Sequence, residues 1–168
     1  MPLWTLFSAN KKHSLVALLM LLLSAAGAQH RKKIQVASCR NRIIQGVTGL
    51  IFEVRGNQMP APGKGVPVRH GTEKVFGVFL PANLETAQKG HKDCFFKKPG
   101  SRLVKMAKTD KNGCFSLALM PGQYSMFVKE NGEWYANSFD GEGGIFPFEV
   151  FPDSLTHLDF RINHGAWY

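Results

Sequence analysis

The chain has 168 residues, with 21 Lys and Arg against 12 Asp and Glu, for a net charge of +9. That length fits one domain of ordinary size, and the only long apolar run lies near the N-terminus, which excludes a polytopic helical membrane protein. Three cysteines, Cys39, Cys94 and Cys114, allow one intramolecular disulfide at most and exclude a disulfide-dense miniprotein.

Lys11, Lys12 and His13 form a basic start, Ser14 to Leu23 is dominated by Leu, Val, Ala and Met, and Ala26-Gly27-Ala28 supplies an A-x-A cleavage site. This layout predicts a signal peptide over residues 1–28 and a periplasmic or secreted product. The apolar run is about 15 residues, short of the roughly 20 that span a bilayer, so cleavage is expected and no transmembrane segment should remain. Val36-Ala37-Ser38-Cys39 resembles a lipobox, but His30-Arg31-Lys32-Lys33 separates it from the apolar run. Cleavage removes two lysines and lowers the net charge to about +7.

The remaining charge is asymmetric. Residues 29–111 hold 17 basic and 5 acidic residues, whereas residues 112–168 hold 2 basic and 7 acidic ones. A basic stripe suits anionic glycans or lipids as well as nucleic acid. Export removes the nucleic-acid reading, and a solvated lysine face that protects strand edges is the plainer one. An oxidising compartment lets two of the three cysteines pair. Three pairings are open; Cys94–Cys114 is the expected one, and three separate thiols are the alternative.

Residues 29–45 read as a basic leader. Gly46 to Arg55 is rich in β-branched and aromatic residues and predicts the first strand. Gly56 to Gly65, with two Pro and three Gly, is a loop, and Val66-Pro67-Val68 allows only a short or edge strand. Lys74 to Leu80 is an apolar strand. Ala82 to Gly100 is a long Lys-rich connection with room for one helical turn around Asn83 to Gln88, and Arg102 to Lys108 is another strand.

Asn112-Gly113 and Pro121-Gly122 are tight-turn signals. They frame Phe115, Leu117 and Leu119 and then Tyr124, Met126 and Val128, each apolar at every second position. The reading is a double hairpin. Glu130-Asn131-Gly132 makes a further turn, Trp134 to Phe139 is extended, Asp140-Gly141-Glu142-Gly143-Gly144 is a flexible acidic loop, and Pro147 makes Ile145 to Phe151 an edge. In Leu155 to Ile162, Leu158, Phe160 and Ile162 should face the core, with His157, Asp159 and Arg161 outward. About seven short strands without an amphipathic helix predict an all-β fold, a single antiparallel β-sandwich.

Thr109, Asp110, Gly113 and Phe115, followed by Pro121, Gly122 and Tyr124, resemble the grammar of the carboxypeptidase regulatory-like domain family, and Gly46-Val47-Thr48-Gly49 is similar to its opening strand. Gly56 to Pro60 and Tyr135 to Gly143 resemble segments of small stand-alone exported proteins of Bacteroidota-type bacteria. The resemblance spans about Gln45 to Asn163. It implies a prealbumin-like or Ig-like sandwich over residues 46–163, a tail at 164–168, and an accessory rather than peptidase role. The long connection from Pro81 to Gly100 departs from the pattern. Fold alone does not convey activity.

His70 and Glu73 have the H-x-x-E spacing of two zinc ligands, but a catalytic zinc needs a third ligand and an open position. With His157 they define the alternative of a small metal-dependent hydrolase. His157 and Asp159 are neighbours on one strand face. Asp140 and Glu142 on a Gly-rich turn offer oxygen ligands that suit calcium, so a calcium-stabilised carbohydrate-binding module is a further alternative. The main candidate is an aromatic and amide-rich ligand site for a glycan or peptide: Trp134, Tyr135 and Asn137 beside Asp140 and Glu142, with Asn57, Gln58 and Met59 in the Pro-rich loop. The opposing reading is that the two rings are core. An isopeptide-linked pilin-type sandwich needs a lysine on the first strand, and Gly46 to Arg55 has none. The expectation is therefore a non-catalytic exported module, without cofactor, that serves binding or structure in the envelope.

Overall fold

The computed structural model describes Cys39, residues 43–59, Gly63 and residues 69–168. The expected signal peptide, most of the basic leader and the short strand at Val66-Pro67-Val68 lie outside the described residues.

The fold is a β-sandwich built from twelve strand segments among the described residues. They are β1 (Gly46–Asn57), β2 (His70–Gly71), β3 (Val75–Phe79), β4 (Gln88–Lys89), β5 (Phe95–Lys98), β6 (Leu103–Lys108), β7 (Cys114–Ala118), β8 (Gly122–Glu130), β9 (Glu133–Tyr135), β10 (Pro147–Val150), β11 (Leu155–His157) and β12 (Phe160–Trp167). Among the described residues there is no helix long and apolar enough to cross a membrane.

The smaller sheet is organised on β1. Its first half pairs with β7 and its second half with β2, both antiparallel, while β11 and β12 run parallel to it on the other side. The larger sheet has the order β4-β5-β9-β8-β3-β6, and β10 pairs with the start of β8. All pairings in it are antiparallel. The parallel pairs are the departure from an all-antiparallel sandwich. They are sterically allowed because almost the whole chain intervenes between β1 and β12, ample length for a crossover.

Period-two alternation places Val47 and Ile51 of β1, Phe115 and Leu117 of β7, and Phe160 and Ile162 of β12 against Phe76, Val78, Met126, Val128 and Tyr135 of the larger sheet. Phe76 meets Phe115 at 4.8 Å between ring centres, and Phe146 stacks on Phe160 at 4.3 Å. Each such buried ring contributes about 1.5–3 kcal/mol. The outer face of the larger sheet carries a second aromatic group, Phe79, Phe127, Phe96 and Trp134, in edge-on contact.

The turns at Asn112-Gly113 and Pro121-Gly122 are not hairpins. β6 belongs to the larger sheet, β7 to the smaller and β8 to the larger again, so each turn carries the chain across the sandwich. Turn residues specify a reversal of direction, whereas the pairing partner is set by which sheet each apolar face covers. Thr109 accepts the Lys74 N–H at 2.8 Å and donates to the Thr72 carbonyl, and Asp110 Oδ1 accepts from Asn112 and Cys114. Gly113, at φ +80°, lets the turn touch β1: a Cβ there would lie 2.2 Å from the Ile51 carbonyl oxygen. β8–β9 is a true hairpin, whose Asn131 and Gly132 both have positive φ.

Three other expectations change. The connection from Ala82 to Gly100 keeps a single turn, in which the Ala87 N–H donates to the Asn83 carbonyl at 3.0 Å, but it also contains β4 and β5, anchored by Phe95 and Phe96 on opposite faces. The segment from Leu155 to Ile162 is two strands separated at Leu158 and Asp159, although Phe160 and Ile162 point in and His157, Asp159 and Arg161 point out as expected. The expected tail at 164–168 continues β12 as far as Trp167.

The Cys94–Cys114 expectation is corrected: Cys39 is bonded to Cys114, with Cα atoms 5.3 Å apart, and Cys94 is free. Cys114 sits opposite Leu50 in the smaller sheet, whereas Cys94 immediately precedes β5 in the larger one.

Candidate functional site

The eight residues of the expected ligand site do not form one surface. Trp134 and Tyr135 are consecutive on a strand and therefore point to opposite faces. Trp134 lies on the outer face, under the Lys129 ammonium at 4.5 Å, while Tyr135 is buried between the sheets. Tyr135 donates its hydroxyl to Asn163 Oδ1 at 2.8 Å, and Asn137 donates to that same oxygen and to the Arg161 carbonyl. Burial pushes the Tyr135 hydroxyl up to about 12. Asn57 caps its own turn by accepting the Met59 N–H, and Gln58 donates its amide back to Arg55. These side chains hold loops and join sheets.

Asp140 and Glu142 instead wall a cleft of about 360 Å³. Its floor comes from the antiparallel ladder of β8 and β10, where Gln123 faces Glu149 and Ser125 faces Pro147 on the outer side. Pro81 and Ala82 form the opposite wall. Ser125 accepts the Ala82 N–H at 3.0 Å and fixes that wall. Asp140 Oδ1 accepts the N–H groups of Glu142 and Gly144, which closes the acidic loop. A Cβ at Gly144 would lie 2.2 Å from Asp140 Oδ2, so a larger residue there would displace the carboxylate that closes the loop. Asn83 donates to the Glu142 carbonyl and ties the loop to the Pro81 side. Gln123, Glu142 and Glu149 line the cleft and are exposed. Gln123, Ser125 and Glu149 were missed from sequence because their convergence depends on the β8–β10 register, which alternation alone does not specify.

A second cleft of about 340 Å³ is lined by Leu84, His91, Cys94, Phe95, Phe96 and Phe139, among others. His91 is held by Glu133, which lowers the Glu133 pKa. Burial and the neighbouring Asp93 push the Cys94 thiol up, away from the reactive thiolate.

A buried ionic group, not foreseen from the sequence, joins β8 to β12. Glu130 ends β8, only 7% exposed. Lys74 Nζ is 2.5 Å from its Oε1, and His164 Nε2 is 3.3 Å from its Oε2. The lysine is placed to neutralise Oε1 but off the direction of a good hydrogen bond, since that oxygen has no aligned donor.

The H-x-x-E pair is split by its contacts: Glu73 pairs with Lys108, and His70 is exposed on β2 opposite Glu53. His157 meets Asp159 at 3.3 Å, and Asp159 also takes Arg69 and the Leu50 N–H. Among the described residues no group of three or more His, Cys, Asp or Glu is placed to hold a metal ion. Neither the protein-family models nor the curated proteins give a match to the chain.

Proposed function

We propose that the chain is an exported, non-catalytic β-sandwich module, periplasmic or secreted, that binds a glycan or a peptide partner in the cleft between the Asp140 loop and the β8–β10 ladder. The observation that carries this reading is the convergence of the Gln123 amide with the Glu142 and Glu149 carboxylates over a floor containing Pro147. Amide and carboxylate groups fixed on strands and a closed loop supply directional hydrogen bonds, and the proline ring supplies an apolar contact. The Cys39–Cys114 bond supports the export half of the reading, since structural disulfides persist in oxidising compartments. The roles of Thr109, Asp110, Gly113 and Phe115 as turn and core residues support the resemblance to the carboxypeptidase regulatory-like domain family.

A glycan and peptide array probed with the mature domain tests the proposal. A hit should weaken by at least about tenfold when Gln123→Ala and Glu149→Gln are combined, and should survive Trp134→Ala, whose side chain lies at the other end of β8. Binding unchanged in the double variant rejects the cleft.

A further inference from the structure

Among the described residues the larger sheet ends in β6, which pairs there with β3 alone. Edge strands usually defend themselves with charge, brevity or bulges. β6 has the charges, Lys105 and Lys108 with Arg102 just before it, but it also exposes Leu103, Val104 and Met106 at 41%, 39% and 53%. A ladder irregularity opposite Val78 and Phe79 leaves Val104 without a partner on β3, so the regular part runs from Lys105 to Lys108. Met106 and Lys108 share the outer face with Gly77 and Val75, while Lys105 turns inward and donates to the Ala118 carbonyl at 3.3 Å. Glu73 already pairs with Lys108, so the uncompensated charge of the edge is that of Arg102 and Lys105.

We infer that β6 is a docking edge for an extended acidic polypeptide segment, which adds to the sheet as a further strand with apolar side chains on Leu103 and Met106 and carboxylates toward Arg102 and Lys105. Main-chain hydrogen bonds supply affinity in this mode and alternate side chains supply selection. A second copy of the chain is the less suitable occupant. Antiparallel pairing of β6 with itself would bring both copies of Arg102 and Lys105 onto one short ladder, and like charges facing across strands are destabilising. An acidic segment meets the same edge with complementary charge. This inference does not depend on the cleft, which lies on β8 and β10.

The test uses the isotope-labelled mature protein and a capped peptide of alternating Glu and Val. Binding should shift the amide signals of Leu103 to Lys108 and slow their hydrogen exchange. Methylating alternate peptide nitrogens should abolish it, because the ladder is lost. Combining Arg102→Glu with Lys105→Glu should weaken it by about tenfold or more, while Arg102→Lys with Lys105→Arg should retain it and Glu149→Gln should leave it unchanged. Four results overturn the inference: no binding at millimolar peptide, equal binding of an alternating Lys and Val peptide, signal shifts confined to the Gln123–Glu149 cleft, or dextran sulfate reproducing the shifts while the methylated peptide still binds.

Discussion

Tyr135 on β9 donates its hydroxyl to Asn163 on β12 at 2.8 Å, a bond that joins the larger sheet to the smaller one. Because burial raises the folded pKa from 10 to about 12, the native state holds this proton at a pH where the unfolded chain has released it. The unfolded state therefore binds fewer protons between about pH 10 and 12, and stability must fall across that window. Chemical denaturation at stepped pH should show the fall. Tyr135→Phe should cost about 1 kcal/mol at neutral pH and flatten the alkaline slope. An equally steep slope in the variant assigns the effect to other groups.

Cys39 and Cys114 close a loop of 75 residues. In the chain-entropy model such a crosslink contributes about 4 kcal/mol. Combining Cys39→Ser with Cys114→Ser should lower the unfolding free energy by an amount of that order. Native protein should offer one thiol, Cys94, to a mapping reagent. A proteolytic map that links Cys94 to Cys114 instead contradicts the pairing.

What was legible in the sequence was periodic. Phe115 and Leu117, and Phe160 and Ile162, alternate in strands that bury one face, and Tyr124 and Met126 alternate in β8, whose middle is buried on both faces; that periodicity is enough to place them in a sandwich. Pairing was less legible, because a turn such as Asn112-Gly113 looks the same whether it joins partners in one sheet or carries the chain between two. The strand at Phe95–Lys98 was hidden because both faces are used: Phe95 meets Tyr135 inside while Phe96 meets Phe127 outside. The candidate site was half legible. Asp140 and Glu142 announce themselves by sitting in a Gly-rich loop, whereas Gln123 and Glu149 become part of the cleft only through their cross-strand register. Trp134 and Tyr135 were read as a pair, yet adjacency along a strand separates side chains.

The buried contact of Lys74 with Glu130 gives a prediction for the sandwich end. Lys74→Met removes the cation and leaves a carboxylate that is 7% exposed with His164, at 3.3 Å, as its remaining ion-pair contact among the described residues. Breaking one side of such a pair costs about 3 kcal/mol, whereas replacing both partners with uncharged residues is far milder. Thermal melts should therefore show Lys74→Met strongly destabilised, and adding Glu130→Gln should recover part of the loss. If the double variant is as unstable as the sum of the two single ones, the pair is not coupled.

Asp140 decides between a calcium loop and a self-closed one. Its Oδ1 already accepts the N–H groups of Glu142 at 3.0 Å and Gly144 at 2.6 Å, so one oxygen is committed to the loop's own backbone. Calcium requires about six or more oxygen ligands, and Glu142 is the only other acidic side chain in the loop. A calcium chelator should leave the melting temperature unchanged. Asp140→Ala should lower stability by about 1 kcal/mol through the lost turn bonds, with the same cost whether or not calcium is added. A calcium-dependent rise of several degrees in the wild-type chain, absent from Asp140→Ala, establishes the metal loop and moves the function of the cleft from hydrogen bonding to cation-dependent binding.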